Sequence, residues 1–365
     1  MTAVIQRLPV DALSAGLPGL DSVPEVLAWR QTPPALGRAV QGHVGLLSNA
    51  FQRMLVEPAG GELRDLVRTL PDELVLWMVC APESCRRLLY GKQPSVEFFR
   101  RSALAERQRF GVNDAIPDDG LWTALGDCSW RPGSPFRAPI LSNGAVVDLF
   151  SPHAVRLLRA YGHSACPVGS VDLGAVIGRL EDAVAVIGAI SPDTARFFSS
   201  CVQVVIPWED PSIRGRASLS DTRWVGAVAC ANVAAVDQLH LVDMLIHESV
   251  HSFLGMVEEH DPMISDLGAV RDVRVPSPWT GTPLHPRNFL HASYVWFALR
   301  QFWRMAPGRG IVDEDRAGDL SNLAGSGFES PMLWQALSRV AGYLSPRAQQ
   351  TIPAFFEAVI AGEFD

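Results

Sequence analysis

The chain has 365 residues, of which 48% are hydrophobic and 19% charged. That balance excludes a disordered chain and fits one large globular domain or two ordinary ones. The formal net charge of -8 argues against broad nucleic-acid binding and against docking on anionic lipid, both of which need a basic face. The longest uninterrupted apolar run, Leu74 to Ala81, is far short of a membrane span. The N-terminus lacks a charged region followed by an apolar core, so no signal peptide is expected and the cytoplasm is the expected location. None of the six cysteines sits in a CxxC pair, and buried free thiols are expected rather than disulfides or a cysteine-zinc site.

In chain order, apolar residues at Ala35, Val40, Val44, Leu47, Phe51 and Leu55 predict a helix over 34–57. A second helical stretch covers 72–89 and breaks near Pro82, and a third covers 97–110. Residues 111–150 are rich in Pro, Gly, Asp and Ser and predict loops with short strands. A boundary near residue 165 divides a helical N-terminal region, 1–165, from a core over 166–310 and C-terminal helices over 311–365. Within that core, 171–190 reads as a helix. Residues 201–207 and 224–230 read as β-branched or apolar strands. Residues 238–256 form a strong helix with Gly255 as its stop signal, and the five prolines of 261–286 predict an extended loop. A helix over 288–305 is rich in aromatics. Two more helices are expected over 312–362, separated at Ser345-Pro346. The fold class is therefore α+β and mainly helical.

The chemistry lies in His247-Glu248-Ser249-Val250-His251, an HExxH motif on the strong helix. Residues four apart share a helix face, so the two imidazoles can converge on one metal, and Glu248 can reach a metal-bound water as general base. Leu241, Val242, Leu245, Ile246, Val250, Phe253 and Leu254 make the helix apolar. On a buried helix an unpartnered pair of histidines and a carboxylate is costly, and a metal resolves that cost. Asp243, one turn before His247, can accept a ring N–H of a ligand histidine. Motifs for dinucleotides, for P-loop phosphates and for a serine nucleophile elbow are absent from the sequence, and Arg100-Arg101 reads as a solvated helix face.

The third ligand is open on spacing alone. The glycine comes one position too late for the longer HExxHxxGxxH pattern, and the helix from Asn288 holds no Glu or Asp. Glu258, Glu259, His260 and Asp261 follow too soon unless the helix breaks at Gly255, and His285 lies in the proline-rich loop. His291 is preferred because metal sites favour ligands from rigid elements. Tyr294 shares its face one turn later and can donate to a bound oxyanion or substrate, or simply pack in an aromatic core.

Residues 243–252 (Asp-Met-Leu-Ile-His-Glu-Ser-Val-His-Ser), Ser277-Pro-Trp279 and Leu290-His-Ala-Ser-Tyr-Val-Trp296 together resemble the bacterial HExxH-motif proteins of ribosomal-peptide biosynthesis. The resemblance covers about 60 residues well, within the chain range those motifs span. It implies a zincin-like core with a small antiparallel sheet. It also implies iron(II)- and 2-oxoglutarate-dependent β-hydroxylation of a residue in a ribosomally made, leader-bearing peptide. It makes His291 the third metal ligand with His247 and His251. The family tends to carry arginine between Ser-Pro-Trp and that histidine; here the only arginine of 280–287 is Arg287, the expected anchor for the distal carboxylate of 2-oxoglutarate. Arg300, Arg274 and Arg223 are the reserves. Three neutral imidazoles would leave open positions on iron for a bidentate cosubstrate and oxygen. The alternative on the same residues is a zinc metallopeptidase, with Glu248 activating water and Tyr294 or an arginine steadying the oxyanion. A third possibility is a non-catalytic peptide-binding partner. The strand over 224–230 is expected to line the cleft and to take a peptide by strand addition.

Overall fold

A computed structural model describes residues 17–30, 33–91, 95–109, 120–130, 136–163, 172–213 and 217–364. Among these the protein is mainly helical with a small sheet component. In chain order the helices are α1 (Val23–Leu27), α2 (Pro34–Val56), α3 (Gly61–Val67), α4 (Asp72–Cys80), α5 (Pro82–Leu89), α6 (Val96–Arg109), α7 (Pro152–Ala160), α8 (Leu173–Ile190), α9 (Pro192–Cys201), α10 (Gln238–Glu258), α11 (Pro286–Arg304), α12 (Glu314–Ser326), α13 (Pro331–Val340) and α14 (Ala348–Ile360). The chain forms two compact units that interleave in sequence. The first holds 40–184 and 199–252; the second holds 16–39, 185–198 and 253–365. The boundary expected near residue 165 falls outside the described residues.

Local rules explain the helix ends. Ala81 is extended because it precedes Pro82, and this separates α4 from α5. Ser151 caps α7 by accepting from the backbone N–H groups of His153 and Ala154, with Pro152 in the first turn, where its missing N–H is harmless.

The first unit carries a three-stranded antiparallel sheet of β1 (Leu121–Trp122), β2 (Cys128–Trp130) and β3 (Phe136–Arg137). Its main sheet has the order β4-β5-β7-β6. Here β4 is Val146–Val147, β5 is Val204–Trp208, β6 is Ser218–Leu219 and β7 is Ala227–Ala231. This sheet is mixed, not antiparallel as expected: β4, β5 and β7 run parallel, and only β6 is antiparallel. Every residue of β5 and β7 is buried, as befits parallel strands covered on both faces. Pro207 lies inside β5 without breaking a ladder. Val205 accepts from Asp148 N on the β4 edge. Pro207 points to that same edge, beyond the last β4 pair at Val147–Val205.

Two strands start later than their sequence patterns suggest. Cys201 still belongs to α9, so β5 begins at Val204. Trp224, Val225 and Gly226 form a turn before β7, and Gly226 takes φ +90°, a conformation that favours glycine.

The second unit is built on α11. Trp29 of α1's C-terminal flank donates its indole N–H to the carbonyl of Ala298 at 2.8 Å. Tyr294 stacks on Phe355 of α14 with centroids 4.5 Å apart, and Phe297 meets Phe355 edge-on. Residues 261–285 are less featureless than expected: Val275–Pro276 (β8) and Pro283–Leu284 (β9) pair as a short antiparallel ribbon. The C-terminal segment holds three helices, not two. The Ser-Pro-Trp element is structural in this unit. Trp279 donates to the carbonyl of Ala324 at 2.9 Å, stacks near-parallel with Trp296 and meets Phe328 edge-on.

Candidate metal centre

The helix α10 starts where Asp237 accepts from the backbone N–H groups of Leu239 and His240. Leu241, Val242, Leu245, Ile246 and Val250 are fully buried. The opposite stripe carries His247 and His251, both partly exposed. Their Nε2 atoms lie 3.2 Å apart, with the rings tilted at 58°. At that separation both nitrogens could bind one ion. The donor atoms of His247, Glu248 and His251 all lie within 4.8 Å of one another. The residues present therefore fit a metal ion.

Glu248 is 3% exposed and held at both oxygens. The hydroxyl of Ser218 donates to Oε1 at 2.6 Å, and that of Ser220 to Oε2 at 2.5 Å. His247 Nε2 lies 3.9 Å from Glu248 Oε1. Ser218 and Ser220 went unrecognised in the sequence. Their signal was the spacing of two along an extended segment, which puts both side chains on one face. The other serines of the motif helix serve its architecture: Ser249 donates to the Ile246 carbonyl, and Ser252 accepts from Gly226 N at 3.3 Å. Asp243 is buried one turn before His247.

Cysteine is not part of this donor set. Cys230 of β7 is buried, and burial first, then the charge of Glu248, pushes its thiol up and keeps it protonated. Cys80, Cys201 and Cys230 are buried free thiols. Cys166, and the side chain of Cys128, fall outside what is described.

His291, Arg287 and Tyr294 all lie on α11 in the second unit. His285 caps this helix, its Nδ1 accepting from Arg287 N. His291 is buried, and its Nε2 sits 2.7 Å from Glu258 Oε2. Arg287 donates to the same oxygen, from Nε at 2.7 Å and through an Nη2 contact of 2.5 Å. Burial alone would raise the Glu258 carboxyl, but His291 and Arg287 hold it well below the usual range. Burial draws the His291 ring below its ordinary value.

Glu258 matters because α10 does not stop at Gly255. It continues through Met256 and Val257, both buried, to Glu258 as its last residue. The packing of those side chains outweighs the weak stop signal of one glycine. Tyr294 is 1% exposed, and its hydroxyl has no hydrogen-bond partner among the described residues.

The remaining third-ligand and anchor candidates have structural partners. Asp261 accepts from Leu20 N and pairs with Arg347. Arg274 donates to the carbonyls of Arg271 and Val273, and Arg223 pairs with Asp221 at 2.5 Å. Arg300 packs its side chain beside Gly325. The structure thus brings His247, Glu248 and His251 together, and separately brings His291 and Arg287 onto Glu258.

Among the described residues no helix is long and apolar enough to cross a membrane. The chain matches no protein-family model and no curated protein.

Proposed function

We propose that this protein is a mononuclear metal enzyme that modifies peptides, an iron(II)- and 2-oxoglutarate-dependent β-hydroxylase with a zincin-like core, acting in the cytoplasm on a leader-bearing precursor. The observation that carries a metal enzyme is the 3.2 Å approach of the His247 and His251 Nε2 atoms beside Glu248. Bound iron with 2-oxoglutarate and oxygen would supply the oxidising power to place a hydroxyl on a peptide carbon. His247 and His251 would hold the ion. Glu248, fixed at both oxygens by Ser218 and Ser220, orients what binds next to it.

That double anchoring fixes the carboxylate in one orientation, which suits a positioning role beside the ion in the hydroxylase. The zincin-like reading rests on the antiparallel edge strand β6, which contains Ser218 and is followed by Ser220. Strand addition of a peptide belongs to β6 rather than to the segment 224–230. The strand β7 is central, hydrogen-bonded to β5 on one side and β6 on the other.

The resemblance would add His291 and Arg287. His291 keeps its Nε2 on Glu258, so it would offer a metal only Nδ1, with the carboxylate fixing its tautomer. Arg287 would serve a cosubstrate only by sharing or leaving Glu258. A second reading, the zinc metallopeptidase, is favoured by one distance: Glu248 Oε1 stands 3.9 Å from His247 Nε2, beside the place where a metal-bound water would be activated.

The test is anaerobic loading with iron(II), then addition of 2-oxoglutarate and oxygen, with succinate as the readout. Succinate that disappears in His251→Ala supports the hydroxylase. Absence of succinate, together with zinc-dependent peptide cleavage lost in Glu248→Gln, overturns it in favour of the peptidase.

A further inference from the structure

Glu83 is 1% exposed and collects three guanidinium groups. Arg86 donates to both of its oxygens, from Nε at 3.2 Å and Nη2 at 2.9 Å. Arg87 donates to Oε1 from Nε at 2.7 Å, and Arg156 of α7 donates to the same oxygen. The indole of Trp224 donates to Oε2 at 3.0 Å. Aromatic rings fix the orientation of the cations: Arg86 lies over Trp224 and Arg87 over Phe98, at 5.2 and 4.2 Å from the ring centroids.

One carboxylate does not need three arginines. The fork of Arg86 alone covers both oxygens. Arg87 and Arg156 then compete for Oε1, and the three cations repel one another. Burial, then the neighbouring charges of Arg156 and Arg86, draw the Arg87 guanidinium below its usual value against the pull of Glu83. Among the described residues, Glu83 is the only carboxylate within ion-pair distance of Arg86, Arg87 or Arg156. Among the described residues two positive charges are left unmatched, and they are not sealed off: the side chains of Arg86, Arg87 and Arg156 are 23%, 18% and 40% exposed. By contrast Arg223, which also lies 5.2 Å from the Trp224 ring centroid, is matched one to one by Asp221.

We propose that Arg86, Arg87 and Arg156 form a docking surface for an acidic segment of a peptide partner. Charge complementarity identifies the partner. Guanidinium forks presented from two helices suit several carboxylates in a row, and an incoming carboxylate relieves repulsion already present in the free protein. The surface also adjoins the catalytic segment in sequence: the run that begins with Ser218 and Ser220 on Glu248 ends with Trp224 on Glu83. A peptide held here can continue toward β6. The proposal stands apart from the metal chemistry, because binding is measured without metal.

The probe is a fluorescein-labelled peptide of about ten residues alternating Glu and Gly, followed by anisotropy at low and moderate salt, with the Gln counterpart as control. The Glu peptide is expected to bind, to weaken with salt, and to weaken by about five- to tenfold in Arg156→Gln and in Arg86→Gln, as loss of a charged contact should. Arg223→Gln is expected to leave binding unchanged. Near-UV circular dichroism and the melting midpoint show whether each variant is folded; where one is not, the salt series and the Gln peptide decide on the natural protein. Equal binding of Glu and Gln peptides, no binding at low salt, or an equal loss in Arg223→Gln and Arg156→Gln would each overturn the proposal.

Discussion

The Ser220 hydroxyl donates to Oε2 of Glu248 at 2.5 Å, so a loop residue 28 positions earlier fixes the carboxylate of the HExxH motif. With Ser218 on Oε1 the carboxylate is held at both oxygens. Removing both hydroxyls, in Ser218→Ala/Ser220→Ala, leaves the buried carboxylate without a donor among the described residues. The expected loss of stability is about 1–3 kcal/mol per unsatisfied group, read by urea denaturation. On the hydroxylase reading succinate formation falls as well. Unchanged stability would mean that other groups or water hold Glu248.

On the proposed metal-enzyme reading, affinity for the ion depends on both imidazoles. His251→Ala is expected to lower affinity for iron(II) or zinc by more than about a hundredfold, since loss of an outer partner alone costs 10–100-fold. Titration with a competing chelator measures it, and retained stoichiometric metal would move the site away from His247 and His251.

The buried carboxyls give the stability curve its shape. Burial raises Asp148 to about 7 against the opposing hydrogen bonds from Ser151, and raises Glu106 to about 7 against the pull of Arg109. Both folded-state values exceed the unfolded ones, so the folded protein holds more protons between them. Stability contributed by these groups is complete below about pH 4 and is lost as pH rises to about 7, by a few kcal/mol in order of magnitude. Glu83 has the opposite sign. Burial would raise it, but the Arg86 hydrogen bond and the charges of His153, Arg156 and Arg86 hold it at about 2. Its contribution is present above about pH 4 and disappears as pH falls toward 2. Chemical denaturation across this range should therefore peak in mildly acidic buffer. Asp148→Asn should flatten the loss between about pH 4 and 7, and an unchanged slope would refute the assignment.

Gly327 tests the packing of the Ser-Pro-Trp element. A Cβ there would lie 2.2 Å from the Trp279 ring, and the indole is pinned by Ala324, Trp296 and Phe328. Gly327→Ala is expected to destabilise by about 1–3 kcal/mol through overpacking, with a matching drop in melting temperature. A neutral result would show that the indole can swing aside.

Much of the fold is legible in the sequence because its signals are local. The period of apolar residues located α2, α10 and α11, and Pro82 separated α4 from α5 by restricting Ala81. The motif spacing alone placed His247 and His251 on one helix face, where the structure has them in contact. Strand onsets are not legible in the sequence because an apolar, β-branched run looks alike in a strand, a turn and the end of a helix, as at Cys201 and Trp224.

What sequence by itself determined about this protein is the position of its longest helices and the pair of histidines four residues apart on one of them. Both follow from backbone geometry within a single element. Tertiary structure alone decided the parallel pairing of β5 with β7, the clamping of Glu248 by Ser218 and Ser220, the joining of His291 and Arg287 on Glu258, and the meeting of Arg156 with Glu83. In each of these a charge, hydrogen bond or strand ladder is satisfied by a partner distant along the chain. Burial sets the cost of leaving a polar group unpaired, and only the folded chain settles which partner meets it.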